Sequence, residues 1–470
     1  MSNSASVSAP ATLSGGERRA VVSLASLYAL RMLGLFMVLP VMMLDGQQLE
    51  GATPQLLGLA MGVYGLTQAL LQIPAGSLSD RIGRKPVIIG GLFVFALGSL
   101  IAATADSVYG VIVGRALQGG GAIASAIMAL VTDLTREENR MKAMASIGAS
   151  IGLSFSVALV LGPWLAALGG LSAIFMITAV LAIAGILVTV FVIPNPAPLP
   201  HRDSTAVLSE VRKQFLNPQL WPLNLGIFIL HALMVAIFVA IPLQLKAQGL
   251  EASQHSWVYL PVLLVAFVLM VPFIIIAEKR RKMKAVVLTG ALIIAATLFA
   301  MSSASALWHW VVLLLLYFWG FNLMEASLPS WLSKIAPAGA KGSAMGIYSS
   351  MQFFGAFIGG SLGGWILADA NSSALFVGLG VLMVFWSLII WRSSAPQHLT
   401  SVRLAIQPQD DEQVHQYQRQ LMELTGVSEV SPLASEGAIY LKVSADAFDI
   451  NQALAIIHSE NGEQHGSQRK

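Results

Sequence analysis

Gly76-Ser77-Leu78-Ser79-Asp80-Arg81-Ile82-Gly83-Arg84-Lys85-Pro86 separates two long apolar stretches, 54–79 and 86–105. One acid and three bases crowd a turn that is otherwise small and flexible. Gly83 permits a tight reversal and Gly76 a close helix approach. Asp80 falls at a helix end. There, a carboxylate facing the N-terminus of another helix gains up to about 2 kcal/mol when partly buried. So polar a turn between such apolar flanks marks the surface of a bilayer.

The rest of the chain follows the same plan. Of its 470 residues, 56% are hydrophobic and 11% charged, against about 25% charged in a soluble domain. About 20 apolar residues cross the hydrocarbon core. Spans are expected near 20–44, 54–79, 86–105, 107–134, 141–168, 171–193, 221–245, 256–277, 285–304, 306–333, 342–367 and 371–392. Helices are the default, because lipid cannot satisfy an open strand edge. The expected fold class is therefore an all-α membrane protein of twelve transmembrane helices. Residues 1–16 read as a disordered tail without a cleavable signal. There are no cysteines, which excludes disulfides and thiolate metal sites.

Lys and Arg set the orientation. The N-terminal tail and the even-numbered loops carry them, as in the run Lys279-Arg280-Arg281-Lys282, while the odd-numbered loops carry only Lys246. Both termini are expected in the cytoplasm. The basic residues track topology, so no nucleic-acid partner is inferred. A Pro-rich linker, 194–220, divides the spans into bundles at 17–193 and 221–393. Traces of a repeat support two related halves. Gly162-Pro163-Trp164 recurs as Gly363-Gly364-Trp365, and Ala143-Met144 as Ala344-Met345; Pro74 and Asp80 recur as Pro272 and Glu278.

After residue 392 the composition changes. Val402, Leu404 and Ile406 alternate as in a half-buried strand, as do Ile439, Leu441 and Val443. Val414, Tyr417, Leu421 and Leu424 mark one helix face, ending at Gly426. A strand is expected near 427–433. Phe448, Ile450, Leu454 and Ile457 suit a last amphipathic helix. The order is β-α-β-β-α over 400–461, resembling the ferredoxin-like split βαβ plan without its last strand; 462–470 is a polar tail. Residues 393–470 hold 10 acidic and 5 basic side chains. An acidic module with an unpaired strand edge, under basic loops, is expected to regulate the rest of the chain by docking on those loops or by self-association, the alternative being a tethered passenger.

The loop 76–86 resembles the signature of the major facilitator superfamily, roughly Gly-x-Leu-Ala-Asp-Arg-x-Gly-Arg-Lys. Gly76, Leu78, Asp80, Arg81, Gly83, Arg84 and Lys85 match it. The resemblance covers about 17–393 and implies two six-helix bundles rocking about a central site. It also implies that Asp80 meets the start of span eleven, near Gly342–Ser343, and that the matching arginine pairs with an acid at the end of span four, where Asp133 lies. Gly76, Asp80, Arg81, Gly83, Arg84, Lys85 and Asp133 would then form a conformational latch. The alternative for this loop is simple positive-inside anchoring. Arg115-Ala116-Leu117-Gln118-Gly119 resembles a motif of proton-coupled members. Span five resembles the antiporter motif only at Gly162 and Pro163; Ala149, Ala158, Ala166 and Ala167 stand in for its other glycines. Small residues preserve helix packing, but antiport is less strongly implied.

Charges at membrane depth cost at least about 2.5–3.5 kcal/mol on insertion scales. Arg31, Arg115, His231 and Glu325 therefore need cavities or partners, and are the proton-coupling candidates. Histidine titrates near neutrality, and a buried carboxylate must be paired, protonated or hydrated. For Arg115 the alternative is a structural bond to backbone carbonyls, and for His231 a satisfied core histidine. No P-loop, nucleophile–base pattern or recognisable metal site appears; His398, His415 and His458 give no ligand set. The expectation is a non-enzymatic secondary transporter in the inner membrane, with no cofactor beyond a proton gradient. It would export a small, partly hydrophobic solute in exchange for protons. Symport, uniport, or a non-transporting sensor acting through the C-terminal module are the alternatives.

Overall fold

The computed structural model describes residues 13–195, 211–337, 340–369, 371–395, 399–406, 411–433, 438–444 and 447–457. Most of the tail 1–16, the centre of the linker 194–220 and the polar tail 462–470 lie outside the described residues. Ten helices there are long and apolar enough to cross a membrane. One of them, Lys142–Phe191, is two spans joined at Gly169 and Gly170, where the backbone leaves helical geometry. Lys341–Leu367, a 27-residue helix, completes the twelve. In chain order they are Gly15–Phe36, Pro54–Ile82, Arg84–Ala103, Val108–Leu134, 137–168, 171–191, Trp221–Ala247, Ser256–Lys279, Met283–Met301, Leu307–Ile335, Lys341–Leu367 and Ser372–Arg392. They are numbered here spans one to twelve.

Local chemistry sets the ends. Ser14 and Glu17 form a capping box at the start of span one, satisfying helix N–H groups that otherwise lack acceptors. The helix thus begins inside the segment expected to be a loose tail. Span one also stops at Phe36, earlier than expected, and the chain turns through 37–41 into a short helix, Met42–Asp45. Thr53 caps span two, with Pro54 in the first turn, where its missing N–H costs nothing. Span four is broken: Val108–Gly120 and Ala124–Leu134 flank a non-helical step at 121–123. The linker ends in a short helical segment, 211–215, before span seven.

Side chains sort by solvent. Trp310, Trp331 and Trp386 are buried in the C-terminal half, while Trp257, Phe191 and Leu168 are exposed on the outside. Outward-facing apolar groups of this size belong against lipid.

The halves meet through spans two and eleven. A Cβ on Gly58 would lie 2.4 Å from the Gly360 carbonyl oxygen, and one on Gly364 would lie 2.5 Å from that of Pro54. Gly62 and Gly65 face Phe357 and Phe353 as closely. These glycines sit toward the face opposite the basic loops. Toward the basic face the helices part: a Cβ on Gly342 or Gly346 would meet nothing within 4 Å, and one on Gly76 only Ser125 of its own half. Tyr64 against Phe353 and Phe155 against Phe238 and Phe318 continue the seam to mid-membrane. Beside the seal, Leu57, Met43, Leu243, Gln244 and Leu367 line a cavity of about 550 Å³.

The C-terminal module holds β1 (Leu399–Ala405), a helix Asp411–Met422, β2 (Val427–Leu433), β3 (Ala438–Ser444) and a helical stretch 450–457. The sheet is antiparallel with order β1-β3-β2. Leu404, Tyr417, Leu421, Leu441 and Ile457 share one core, so the element order is the expected one; of the expected core face, Ile450 at the start of the last helix is instead exposed.

Gly58→Val would force a side chain into the facing backbone, and such overpacking costs about 1–3 kcal/mol. Insertion should survive while this face opens. Leu57→Cys, at a position 2% exposed in the closed face, should then react about tenfold faster with a membrane-impermeant maleimide, as about 1.4 kcal/mol implies. Unchanged labelling would remove this seal from the account.

Candidate functional site

Three helices of the C-terminal half converge on one polar cluster. Gly320 lets span ten lie against span nine, where its Cβ would sit 2.8 Å from the Gly290 carbonyl. Five residues on, about 140° round the helix, Glu325 points the other way. His231 of span seven and Gln352 of span eleven meet it there. The His231 Nε2 to Glu325 Oε2 distance is 3.9 Å. Gln352 Nε2 lies 2.8 Å from His231 Nε2 and donates to Glu325 Oε1 at 3.4 Å. Glu325 Oε2 is buried without a hydrogen-bond partner among the described residues, as are the Tyr317, Tyr348 and Ser350 hydroxyls. A carboxylate oxygen left so costs free energy unless it is protonated or hydrated.

The N-terminal half holds the two intramembrane arginines. Arg115 donates to the Ala60 and Met61 carbonyls of span two and to Gln118, which in turn donates to Ser99 of span three. This is the structural bond to carbonyls that was its alternative. Arg31 donates to Gln68 and to the Gly121 carbonyl, freed by the break in span four. Gln68 donates onward to Gln72. Both guanidinium groups lie within 6 Å of the Tyr64 ring, where cation–π attraction offsets part of their desolvation. The four candidates therefore fall into two groups, Glu325 with His231 and Arg31 with Arg115.

The loop 76–86 is built as a knot. Gly83 adopts φ +99°, a left-handed value open to glycine, between spans two and three. Arg84 pairs with Asp80 one turn back, with Asp133 at 3.0 Å, and donates to Ser79 at 2.7 Å. Lys85 donates to the Ile193 carbonyl at the end of span six, where a cation suits the helix dipole. Arg81 also has a partner. Asp80 differs from expectation: its ion-pair partner is Arg84, and no described hydrogen bond or ion pair joins it to Gly342 or Ser343. The halves are parted at this face, so the start of span eleven is out of its reach. Gly162 brings span five against the Met37 carbonyl, and Pro163 follows within the helix.

Sequence reasoning missed several members. Gln352, Gln68 and Gln72 carry no charge and raise no electrostatic alarm, although paired glutamines four apart in an apolar helix are themselves a signal. Glu17 accepts from Arg136 and Asn139 and ties the start of span one to the loop after span four. Among the described residues no group of three His, Asp or Glu is placed to hold a metal.

Comparison with known proteins places this geometry in context. The Major Facilitator Superfamily profile matches residues 24–360. The inner membrane transport protein YajR of Escherichia coli (strain K12) is 47% identical over 93% of this chain and 98% of its own. The multidrug resistance protein MdtH of Aeromonas salmonicida (strain A449) is 27% identical over 72% of this chain and 84% of its own. The crystal structure of the human organic anion transporter MFSD10 (TETRAN) superposes with a TM-score of 0.62 at 20% identity, covering 80% of this chain and 100% of that one, a likeness of fold.

Arg84 and Asp133 are both largely buried, at 11% and 13% side-chain exposure. Arg84→Ala and Asp133→Asn should each lower transport without loss of insertion. In a double-mutant cycle their coupling should exceed about 0.5 kcal/mol, the lower bound for residues in contact. Additive effects on transport rate would show that the pair does not act as a unit.

Proposed function

Because the chain belongs to the major facilitator superfamily of membrane transporters, we propose that it is a proton-coupled exporter of a small, partly hydrophobic solute, working by alternating access in an inner membrane. The observation that carries the coupling is the Glu325–Gln352–His231 cluster, an ionisable pair 3.9 Å apart bridged by one amide. A carboxylate without a fixed cation is tolerated in a dry interior when protonated, and needs water when charged. Each opening of the cavity wets it and each closure favours the neutral form, so proton binding and release follow the two states. His231 lies close enough to share the charge, and Gln352 positions both. The arginines of the other half are held by carbonyls and amides, and serve as staples rather than carriers.

The orientation follows from the positive-inside pattern, with the basic loops and both termini in the cytoplasm. The arrangement with the halves parted at the basic face is then the inward-facing state. The latch of Asp80 on the start of span eleven belongs to the opposite state, while Arg84 and Asp133 keep the loop shaped in both. Phe155, Phe238, Phe318 and Phe321 are packed on one another at mid-membrane, an apolar surface that parting of the halves would offer to the solute. A relative named as a multidrug resistance protein agrees with a solute of this kind.

Glu325→Gln fixes the site in a neutral form. In proteoliposomes the variant should still bind solute and exchange it across the membrane, but a pH gradient should no longer drive accumulation. Gradient-driven accumulation at the wild-type level would remove Glu325 as the proton carrier.

A further inference from the structure

The sheet of the C-terminal module has two faces. Ile439, Leu441 and Val443 turn toward the module's helices and join its core. Ala438, Tyr440 and Lys442 alternate onto the other face. In a small two-layer domain that second face ordinarily meets water, yet here Ala438 is 0% and Lys442 4% exposed.

The end of span ten meets this face at Lys442. Lys442 Nζ donates to the Ala336 carbonyl and, at 3.2 Å, to that of Lys334. These are among the last carbonyls of a helix, which have no partner within it, and a cation there also meets the negative end of the helix dipole. Glu429 on the neighbouring β2 pairs with the same ammonium at 3.4 Å. Burial pushes the Lys442 pKa below the usual lysine range, and Glu429 beside it pulls the other way. On the same turn of span ten, Lys334 Nζ pairs with Glu278 of span eight at 2.6 Å, and Ser330 donates to Glu278. Ala336 and Ala340 are buried in the junction that leads into span eleven at Lys341. The module is thus seated on the junction between spans ten and eleven, and span eleven is the helix that seals the halves at the far face and parts from span two at the near one.

We propose that the C-terminal module is a built-in conformational regulator, which seats on the cytoplasmic junction of spans ten and eleven through Lys442 and stabilises the state in which the cytoplasmic halves are apart. A regulator must bind one state better than the other. The seat would provide for this by holding the end of span ten at Lys334 and Ala336, a few residues before span eleven starts at Lys341, the segment that must move toward Asp80 for that face to close. The inference rests on alternating access and is independent of how protons are coupled.

The test uses the full-length protein in lipid nanodiscs, with spin labels at two cysteine pairs. Ser77→Cys with Gly346→Cys reports closure of the cytoplasmic face; Ser333→Cys with Ser431→Cys reports the seat. Lys442→Met should broaden the seat distance and raise the ratio of closed to open cytoplasmic face by about fivefold, the lower range of allosteric couplings. Lys442→Arg, which keeps a donor cation, should leave both distances as in the wild type. Amide exchange over 439–443 should stay protected, which separates undocking from unfolding. If the sheet loses protection, Ala336→Phe crowds the seat from the transporter side, and must produce the same shift for the proposal to stand. A seat that opens without a change in the ratio, a shift toward the open face, or a seat unaffected by Lys442→Met each overturns it.

Discussion

Bare backbone against bare backbone at spans two and eleven is the contact on which the rest of the molecule depends. Within a bilayer there is no hydrophobic force between helices, and association rests on close packing. Gly58, Gly62, Gly360 and Gly364 remove side chains where the two helices cross, so that carbonyls of one approach the α-carbons of the other. The same glycines that close one face let the helices diverge toward the other, where Gly342 and Gly346 stand clear of any neighbour. Sealing and opening are therefore two ends of one crossing.

Around that crossing the polar groups are divided unequally. In the N-terminal half, glutamines, an unwound carbonyl and an aromatic ring surround the two buried guanidinium groups, and Arg115 is bonded at each of its nitrogens. Arg31 keeps two nitrogens without a partner among the described residues. The C-terminal half leaves a carboxylate oxygen and several hydroxyls unsatisfied about Glu325. A fully bonded buried network rigidifies its surroundings, as at Arg115, whereas Arg31 and Glu325 are only partly bonded. Each half carries an ion pair at the basic face: Arg84 with Asp133 in one, and Glu278, the counterpart of Asp80 in the repeat, with Lys334 in the other.

Much of this was legible in the chain. Hydropathy gave the spans because lipid enforces helices, and the alternation at 439–443 gave the sheet because one face needs a core. The pairing of Arg84 with Asp133 followed from the resemblance at the loop. What escaped had physical reasons. The break at 121–123 hides inside an apolar run, since lost helix hydrogen bonds leave no mark on hydropathy. Gln352 has no charge to draw attention, yet it bridges His231 and Glu325. Asp80 was expected against span eleven, but here it pairs with Arg84, and a Cβ at Gly342 would meet nothing within 4 Å. Nothing in the sequence marks Lys442, because the carbonyls that hold it come from more than a hundred residues earlier in the chain.

The central claim is that the charge on Glu325 and the choice of open face are one equilibrium. Distances between spin labels across both faces, taken on the reconstituted protein from about pH 5 to about pH 9, a range that spans titration of a buried carboxylate, test it directly. The account predicts reciprocal change in the wild type, one face widening as the other narrows, and two pH-independent populations in Glu325→Gln. Equal pH dependence in the variant and the wild type, or none in the wild type, would contradict it.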